Sequence, residues 1–483
     1  MLLKRFYHEG LAQASYLVGS EQTGEALIVD PNRDLEQYLA AADAHALRIA
    51  YVTETHIHAD FLSGARELAR VTGARILLSA EGDADWQYAY AAEAGATLLH
   101  DGDEFMVGDV RVDVVHTPGH TPEHLIFVLT DTRAGDRPLG AFTGDFVFVG
   151  DVGRPDLLER AAGVEGAARV GAKLLFESLR RLTERYPDYL QLWPGHGAGS
   201  ACGKSLGAVP QSTLGYEKLV NWAFQIDDEA RFVEAVLDGL TPPPTYFGMM
   251  KRLNRDGPPS LRERPAPPRH PAAGLQERLR RGDLVIDLRR IDQFASAFIP
   301  GTVNIPLNRG FVGYAGWLVP YDRDIAFVYD GDDDSLARIA ALELAMIGLD
   351  RVTGWYGADA YQAWTAAGGT LATIERIEVG DLATRMAQGA VEVVDVRAET
   401  EWRAGHIPGA KLAPLGQVAS VLRDRSRTAP LVLVCQSGSR SGIAASVLAS
   451  MGFVNVANLR EGMRGWEAHG QPVERAEAVL SSG

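Results

Sequence analysis

The chain has 483 residues, 46% of them hydrophobic and 23% charged, which is the composition of ordinary globular domains. This length predicts about three domains. The formal net charge of −16 argues against nucleic-acid or anionic-membrane partners, because binding to either depends on Lys and Arg. The first residues lack the apolar stretch of a signal peptide, and no segment reaches about 18 consecutive apolar residues. We therefore expect a cytoplasmic protein without a membrane partner.

Two cysteines occur in the sequence, Cys202 and Cys435. This count excludes a framework of structural disulfides and fits a reducing compartment. Both cysteines lie in Gly/Ser-rich stretches, GSACGKS and CQSGSRS, and not in apolar patterns. Such placement favours a chemical role over the usual role of cysteine as a small core residue.

The amino-terminal 256 residues alternate predicted strands and amphipathic helices. The strands are predicted at Glu25–Asp30, Ile49–Thr55, Val110–His116 and Leu125–Thr130, and a helix is predicted at Leu62–Thr72. This mixture indicates a layered α/β domain with polar clusters at the ends of its strands.

Histidines and aspartates follow these apolar runs in a pattern typical of a metal site. His56, His58 and Asp60 alternate directly after one strand and project to one side. Further candidates lie in later Gly/Pro/Thr-rich loops, and they are His116, His120, Asp145 and His196. Five of the twelve histidines share this context, which argues against unrelated surface histidines.

The motifs THIHADFLSG, PGHTPEH, TGDFVFVGDVGRPDL and PGHGAGSACGKSLG resemble the metallo-β-lactamase superfamily over about residues 1–250. Within it they are similar to the persulfide dioxygenase branch, the ethylmalonic encephalopathy protein family. The superfamily motif usually reads HxHxDH, and Phe61 stands at its last position here. Phenylalanine cannot bind a metal, so a second metal site loses a ligand and a dinuclear zinc hydrolase is disfavoured.

The resemblance implies an αββα sandwich and one Fe(II) per chain, held by His56, His120 and Asp145. Two histidines and one carboxylate leave three coordination positions open, as in non-haem iron enzymes that activate O₂. The remaining candidates are expected to orient those ligands or to bind water, with plain loop hydrogen bonding as the alternative. They are His58, Asp60, His116 and His196.

Two further residues of these motifs are candidates for the substrate pocket. Arg154, in the GRPD motif, is placed to hold a substrate carboxylate, with an internal ion pair as the alternative. Cys202 lies six residues past His196 on the same Gly-rich loop, and a spectator thiol is the alternative for it.

Gly257–Pro271 contains six prolines in fifteen residues, which predicts a stiff linker. An internal repeat follows. LVIDLRRIDQFASAFIPGTVNIPL, from Leu284, matches VEVVDVRAETEWRAGHIPGAKLAPL, from Val391. Strand and helix patterns alternate in each copy, which indicates a parallel sheet covered by helices. We predict two copies of one α/β domain, at residues 272–371 and 372–483.

The strand pattern Leu431–Val434 ends in Cys435, and a helical pattern starts at Gly442. Between them lie Gln436, Ser437, Gly438, Ser439, Arg440 and Ser441. Loop amides at a helix amino terminus bind anions, and a cysteine there beside an arginine is suited to nucleophilic chemistry.

The C-x4-R spacing, DVR near Asp395 and HIPGA at His406 resemble rhodanese. The resemblance implies that Cys435 carries sulfur as a persulfide, with Arg440 as the second catalytic residue and the other loop residues binding the persulfide. In the preceding copy the cysteine position falls on Tyr329 and the arginine position on Asp334. We therefore predict a rhodanese-like domain without activity, followed by an active rhodanese.

Together the resemblances imply Fe(II)-dependent oxidation of a low-molecular-weight thiol persulfide, such as that of glutathione or coenzyme A, by O₂. The products are sulfite and thiol, and Cys435 exchanges sulfur with thiosulfate or sulfite, as in hydrogen sulfide detoxification. We expect a homo-oligomer. One alternative is a thioester hydrolase of the glyoxalase II kind with a sulfurtransferase domain, against which Phe61 argues. The other is a non-catalytic persulfide sensor.

Overall fold

The computed structural model describes residues 1–157, 159, 166–261 and 266–475. The chain divides into two compact units. One comprises Met1–Arg264 with Leu344–Gly348, and the other comprises Pro265–Glu343 with Leu349–Gly483. Within the described residues, no helix combines the length and the apolar character needed to cross a membrane.

Two six-stranded sheets form the first unit. The first sheet has its strands in sequence order: Leu2–His8 (β1), Gln13–Ser20 (β2), Glu25–Val29 (β3), Arg48–Thr53 (β4), Arg75–Ser79 (β5) and Thr97–Leu99 (β6). The second sheet has the order β12-β11-β10-β9-β8-β7 and comprises Glu104–Val107 (β7), Val110–His116 (β8), Leu125–Asp131 (β9), Gly140–Gly144 (β10), Gln191–Pro194 (β11) and Ser212–Thr213 (β12). Strands β3 to β6 are parallel, and β7 to β10 are antiparallel.

The helices of the first unit are Glu36–Ala44 (α1), Ala65–Thr72 (α2), Ala167–Arg185 (α3), Leu214–Val220 (α4), Glu229–Leu237 (α5) and Phe247–Asp256 (α6), with 3₁₀ turns at Ala84–Trp86 and Trp222–Gln225. Helix α2 begins three residues later than predicted from the sequence. The Ser63 amide is bound to the Asn254 side chain, and the Ser63 hydroxyl accepts a hydrogen bond from the Ala65 amide, so the helix starts only there.

Alternating side chains build three layers of core. In β2, Tyr16 packs between the two sheets, whereas the next residue, Leu17, packs with Tyr38 of α1 on the outer face. In β9, Phe127 packs between the sheets, and Val128 packs on the outer side with the helices that follow. Both sheets are therefore buried on both faces. This arrangement confirms the predicted αββα sandwich.

The second unit contains two parallel sheets. The first has the order β14-β13-β15-β16 and comprises Leu284–Asp287 (β13), Val303–Asn304 (β14), Ile325–Val328 (β15) and Val352–Tyr356 (β16). The second has the order β17-β21-β20-β18-β19 and comprises Glu375–Ile377 (β17), Glu392–Asp395 (β18), Lys411–Leu412 (β19), Leu431–Val434 (β20) and Val456–Leu459 (β21). A four-strand core of the same connectivity occurs in both sheets.

Helices of the second unit are Leu275–Arg281 (α7), Ile291–Ser296 (α8), Phe311–Leu318 (α9), Ser335–Ala345 (α10), Asp359–Ala366 (α11), Val379–Ala387 (α12), Glu399–Ala404 (α13), Val418–Val421 (α14), Ser439–Ser450 (α15) and Gly462–Ala468 (α16), with 3₁₀ turns at Ala272–Gly274 and Leu415–Gln417. Equivalent contacts recur in the two copies. The indole of Trp364 donates to the Thr370 carbonyl, and the indole of Trp466 donates to the Pro472 carbonyl.

The segment Gly257–Pro271 is more ordered at its end than a free linker. The Trp355 amide donates to the Pro268 carbonyl, and the His270 amide donates to the Trp355 carbonyl. Residues 262–265 of the predicted linker, and residues 476–483 at the end of the last predicted domain, lie outside the described residues.

The two copies differ at the loop that follows their central strand. Helix α15 begins four residues after Cys435, whereas α10 begins six residues after Tyr329. The first copy therefore has two extra loop residues. When the helix starts are matched, the position equivalent to Arg440 is Leu336 and not Asp334, which corrects the sequence alignment. The position carries no arginine in either alignment.

Candidate metal centre and sulfur-transfer site

The first candidate site is a buried group of two imidazoles and one carboxylate. His56 follows β4, His120 lies in the loop after β8, and Asp145 follows β10. The Nε2 atoms of His56 and His120 lie 3.9 and 3.5 Å from Oδ2 of Asp145. Each of the three side chains is at most 1% exposed. They form a ligand set of the right size for a metal ion.

The hydrogen bonds of these side chains fit a bound cation. Nδ1 of His120 lies 3.0 Å from the Arg154 carbonyl, which can only accept, so Nδ1 carries the proton. The Thr55 hydroxyl donates to Asp30 and therefore accepts from Nδ1 of His56, 3.0 Å away. Both rings thus direct the lone pair of Nε2 at the centre.

Buried atoms at the centre lack other partners. Nε2 of His56 and both carboxylate oxygens of Asp145 have no partner in hydrogen-bonding geometry among the described residues. Burial is the main cause that lowers the pKa of His56 and of His120, which favours the neutral imidazoles that metals bind. A buried polar atom without a partner lowers the stability of the fold. The residues therefore fit a divalent cation, which would give a partner to these three atoms.

A second group lies beside the first and comprises Asp60, His196 and Cys202. Nε2 of His196 lies 3.2 Å from Oδ2 of Asp60 and 3.4 Å from Oδ1 of Asp145. Burial, followed by the charges of Asp60 and Asp145, raises the pKa of the Cys202 thiol well above its usual value. The sequence analysis argued that Phe61 removes a ligand from a second metal site. It overlooked this second group, because Cys202 offers a metal-ligand atom that the HxHxDH motif does not contain.

His58 lies beside the ligand His56, with ring centroids 4.2 Å apart, and its Nδ1 atom is buried without a hydrogen-bond partner among the described residues. Its Nε2 atom lies 3.1 Å from Oδ1 of Asp30. Burial lowers the pKa of His58, but the charge and hydrogen bond of Asp30 outweigh that effect and raise it to about 9. The ring of Phe61 packs on His58 at 4.3 Å between centroids. His58 therefore forms an ion pair that secures the start of the loop after β4.

His116 lies at the end of β8 and is half-buried. Its Nε2 atom lies 2.7 Å from the Pro122 carbonyl, and its Nδ1 atom lies 4.0 Å from Glu81. It belongs to neither of the two ligand groups found among the described residues. Of the four residues predicted to support the ligands, the structure thus brings Asp60 and His196 to the centre, packs His58 against His56 and pairs it with Asp30, and leaves His116 outside.

The second candidate site surrounds Cys435. Its Sγ atom accepts a hydrogen bond from the Gly438 amide at 3.2 Å and lies 3.3 Å from the Ser441 hydroxyl. Gly438 has φ +87°, and a Cβ there would lie 2.1 Å from the Arg460 carbonyl oxygen. The loop therefore turns back over the sulfur atom only because this position is glycine. Helix α15 starts at the next residue.

Arg440 is held by a carboxylate. Its two terminal nitrogens each lie 2.7 Å from an oxygen of Glu401. These hydrogen bonds, partly opposed by burial, raise the pKa of the guanidinium, which is therefore permanently charged. Gln436 accepts from Arg397 at 3.2 Å, and Gln436 and Ser437 lie on the exposed side of the loop. Of the predicted loop residues, the structure thus places Gly438 and Ser441 against the sulfur atom.

Comparisons with known proteins identify the family of the first unit. The description "Metallo-beta-lactamase superfamily" matches residues 8–196, and "Rhodanese-like domain" matches residues 378–469. The crystal structure of a metallo-β-lactamase from Staphylococcus aureus subsp. aureus COL is 41% identical, covers 74% of this chain and 98% of its own, and has a TM-score of 0.65. The chain belongs to the metallo-β-lactamase superfamily.

Two curated relatives match parts of the chain. Persulfide dioxygenase ETHE1, mitochondrial, of Bos taurus is 26% identical over 200 residues, which cover 41% of this chain and 68% of that protein. A probable metallo-hydrolase of Burkholderia pseudomallei (strain 1710b) is 29% identical over 178 residues, which cover 32% of this chain and 60% of that protein. The chain thus spans less than two thirds of the latter relative.

Sequence reasoning missed one residue of the metallo-β-lactamase domain that contacts the ligands. His124 accepts the Asp145 amide proton with Nε2 at 3.1 Å, and its Nδ1 atom lies 2.9 Å from the Thr117 hydroxyl. Its ring stacks on His56 at 5.0 Å. His124 is the last residue of the motif HTPGHTPEH, so the sequence contained a signal that could have identified it. It positions two ligands at once.

Arg154 forms the internal ion pair that was the alternative to a substrate contact. Its guanidinium binds both oxygens of Asp156, at 2.6 and 2.7 Å, and also the carbonyls of Ala201 and Thr241. Its own backbone amide donates to the Cys202 carbonyl. In the metallo-β-lactamase domain Arg154 thus fixes the loop that carries Cys202, and its carbonyl orients His120.

Proposed function

We propose that this protein is a persulfide dioxygenase with thiosulfate sulfurtransferase activity. The observation that carries the proposal is the buried set His56, His120 and Asp145, whose ligand atoms lie within 4.8 Å of one another, in a chain that also carries a rhodanese-like Cys435 loop. The similarity to a mitochondrial persulfide dioxygenase supports it. The low cysteine count and acidic charge support a cytoplasmic location.

The proposed oxidation converts a thiol persulfide, O₂ and water into the thiol, sulfite and two protons. The outer sulfur atom gains three oxygen atoms, and its bond to the inner sulfur breaks. When bound, Fe(II) would supply the open coordination positions and the electrons that allow O₂ to react with sulfur.

The residues around the centre have separate tasks in this proposal. His56, His120 and Asp145 would hold the metal through neutral imidazoles and one carboxylate. Asp60 and His196 border the same buried space and would orient water or the persulfide. Cys202 lies within 4.8 Å of both and would contact the substrate sulfur. The near-complete burial of these side chains excludes bulk water.

At the second site, the Cys435 thiolate would attack the sulfane sulfur of thiosulfate. A new S–S bond forms, the old S–S bond breaks, and its electron pair leaves with sulfite. The Cys435 persulfide would then give its outer sulfur to a low-molecular-weight thiol, which regenerates the thiolate and supplies the dioxygenase substrate. Running in reverse, the same steps make thiosulfate from sulfite and a persulfide.

The second candidate function is hydrolysis of a thioester by two metal ions. The convergence of Asp60, His196 and Cys202 beside the first ligand set favours it, because two adjacent sets can hold two ions. The similarity to a probable metallo-hydrolase also fits it. The two functions differ in the number and kind of metal ions per chain.

Anaerobic purification with elemental analysis tests the proposal, followed by O₂ uptake with the persulfides of glutathione and coenzyme A. We expect one iron per chain and O₂ consumption that matches sulfite production. Two zinc ions per chain, with thioester hydrolysis and without O₂ uptake, would instead establish the hydrolase.

A further inference from the structure

The inactive copy packs directly against the helix that follows the Cys435 loop. A Cβ on Gly442, in the first turn of α15, would lie 2.5 Å from Cγ2 of Ile291. The Ser446 hydroxyl, one turn further along α15, accepts the Asn304 amide proton at 2.9 Å. Glycine at 442 therefore allows the inactive copy to approach the start of the helix at which an anion would bind.

Helix α9 of the inactive copy makes the neighbouring contact. A Cβ on Gly416 would lie 2.5 Å from Cε3 of Trp317, so the indole lies against the turn Leu415–Gln417 of the active copy. Tyr314 and Leu318, on the same helix, pack against the hydrophobic cluster that includes Cys435. Two elements of the inactive copy, α8 and α9, thus border the sulfur-transfer site.

Tyr314 is the residue of α9 that carries a hydroxyl group, and it packs against the hydrophobic cluster that includes Cys435. Burial raises the pKa of its phenol, while the charge of Arg440 lowers it and that of Cys435 raises it, with a net rise. Both charged groups are therefore near the phenol, and its O–H group stays protonated at neutral pH. A protonated phenol can donate one hydrogen bond to an anion.

Three donors of the active copy that lie near Cys435 are already engaged. The guanidinium of Arg440 is bound through two hydrogen bonds to Glu401, which balances its charge. The Gly438 amide is directed at Cys435 itself, and the Ser441 hydroxyl is shared between Cys435 and Asn458. A donor from outside this loop would therefore add to the loop amides in holding the sulfonate end of thiosulfate.

We propose that Tyr314 of the inactive copy forms a wall of the Cys435 pocket and donates a hydrogen bond to a sulfonate oxygen of thiosulfate. The inference rests on the proposed sulfurtransferase function of Cys435. Tyr314 transfers no proton, because sulfite leaves as the dianion when the S–S bond breaks. It is a specificity-determining residue, which favours oxyanionic sulfur donors over thiol persulfides that lack a sulfonate group.

The test compares two sulfur donors in the full-length protein. The Tyr314→Phe variant keeps the ring that packs against Gly310 and removes only the hydroxyl. Sulfur loading is followed as a gain of about 32 Da on the Cys435 peptide, the mass of one sulfur atom carried as a covalent intermediate. We expect kcat/KM for thiosulfate to fall about tenfold, as for one lost hydrogen bond to a charged group, and loading from glutathione persulfide to change less than twofold.

The matched control is Tyr321→Phe, which removes a phenol of the inactive copy just beyond α9 and leaves both donors unaffected. Normal thiosulfate loading of the Tyr314→Phe variant would overturn this inference alone. An equal loss with both donors would overturn it too, since the hydroxyl would then have no role in selecting oxyanions. If the wild-type protein accepts no sulfur from thiosulfate, the proposed sulfurtransferase function fails, and this inference with it.

Discussion

At the scale of single residues, hydrogen bonds on the far side of each ring decide which atoms can bind a metal. The Arg154 carbonyl fixes the proton of His120 on Nδ1, and the Thr55 hydroxyl, itself directed by Asp30, does the same for His56. Asp30 also forms the ion pair with His58. One buried carboxylate thus helps to prepare one histidine as a ligand and keeps another in an ion pair.

Replacement of His120 by Ala tests the assignment of the ligands. We expect the variant to lose its iron and its persulfide-dependent O₂ uptake, because the remaining ligands are one imidazole and one carboxylate. Thiosulfate sulfurtransferase activity is expected to stay at the wild-type level. Elemental analysis and an oxygen electrode measure the first two effects, and the exposed His100, replaced by Ala, serves as the control. Retention of iron by the His120→Ala variant would contradict the assignment.

Glu123 gives a prediction for pH dependence. It is buried and accepts the Ile57 amide proton at 2.7 Å. Burial raises the pKa of its carboxyl from 4.5 to about 7. The folded protein therefore holds this proton more tightly than the unfolded chain does. The contribution of Glu123 to stability is complete below about pH 4.5, is lost as the pH rises to about 7, and stays constant above that.

Glu123→Gln is expected to remove this pH dependence. Between pH 5 and 7.5 the free energy of unfolding of the metal-free wild-type protein should fall relative to that of the variant, by roughly 2–3 kcal/mol. Urea unfolding at a series of pH values measures the difference. Parallel curves for the two proteins would show that Glu123 titrates normally.

At the scale of elements, the length and the glycine of one loop distinguish the copy that carries Cys435 from the copy that carries Tyr329. The loop from Cys435 to α15 has three residues and closes over Sγ with Gly438 at φ +87°. In the inactive copy the longer loop places the Tyr329 ring against Trp355, with centroids 5.1 Å apart, and the Tyr329 hydroxyl donates to the Asp333 carbonyl. In that copy the Tyr329 side chain occupies the position at which an anion would bind.

Gly438→Ala tests the role of this loop. The new Cβ would clash with the Arg460 carbonyl, so the amide that faces Cys435 must move, and we expect sulfurtransferase activity to fall at least tenfold. The matched control is Gly452→Ala, since Gly452 follows the other end of α15 with φ +89° and has nothing within 4 Å of an added Cβ. It should lose only about 1 kcal/mol of stability, from its positive φ, and keep its activity. An equal loss of activity in both variants would show that the positive φ causes the loss, and not the clash with the Arg460 carbonyl.

At the scale of the whole molecule, one chain carries two sites with linked chemistry. The proposed sulfurtransferase step yields sulfite and a thiol persulfide, and the proposed oxidation consumes such a persulfide. With both proposed activities, the chain would use thiosulfate and a thiol as a source of substrate for the proposed oxidation.

Cys435→Ser tests this link. We expect no gain of about 32 Da on the peptide that contains position 435 and no sulfurtransferase activity, because the covalent carrier is absent. O₂ uptake supplied with ready-made glutathione persulfide should stay near normal, whereas O₂ uptake supplied with thiosulfate and glutathione should stop. Thiosulfate-driven uptake that persists in this variant would mean that another group transfers the sulfur.

Local sequence patterns determined several strands and helices of this protein and the residues of its candidate metal site. β8 occupies the predicted residues Val110–His116, and a helix follows Cys435 as predicted, although α15 begins at Ser439, three residues before the predicted Gly442. The resemblance of the motifs placed His56, His120 and Asp145 in one ligand set, and the structure brings them together. Such features are predictable because strand periodicity and loop chemistry depend on residues that are near each other in sequence.

Only the tertiary structure decided the contacts between distant segments. It brought Cys202 to Asp60 and His196, engaged His58 with Asp30, and packed Tyr314 of one copy against the hydrophobic cluster that includes Cys435 of the other. Parallel strands deliver loops that are far apart in sequence to one edge of a sheet, and the partners met there set the proton positions and the charges. No local pattern specifies those partners, because they depend on how whole elements pack.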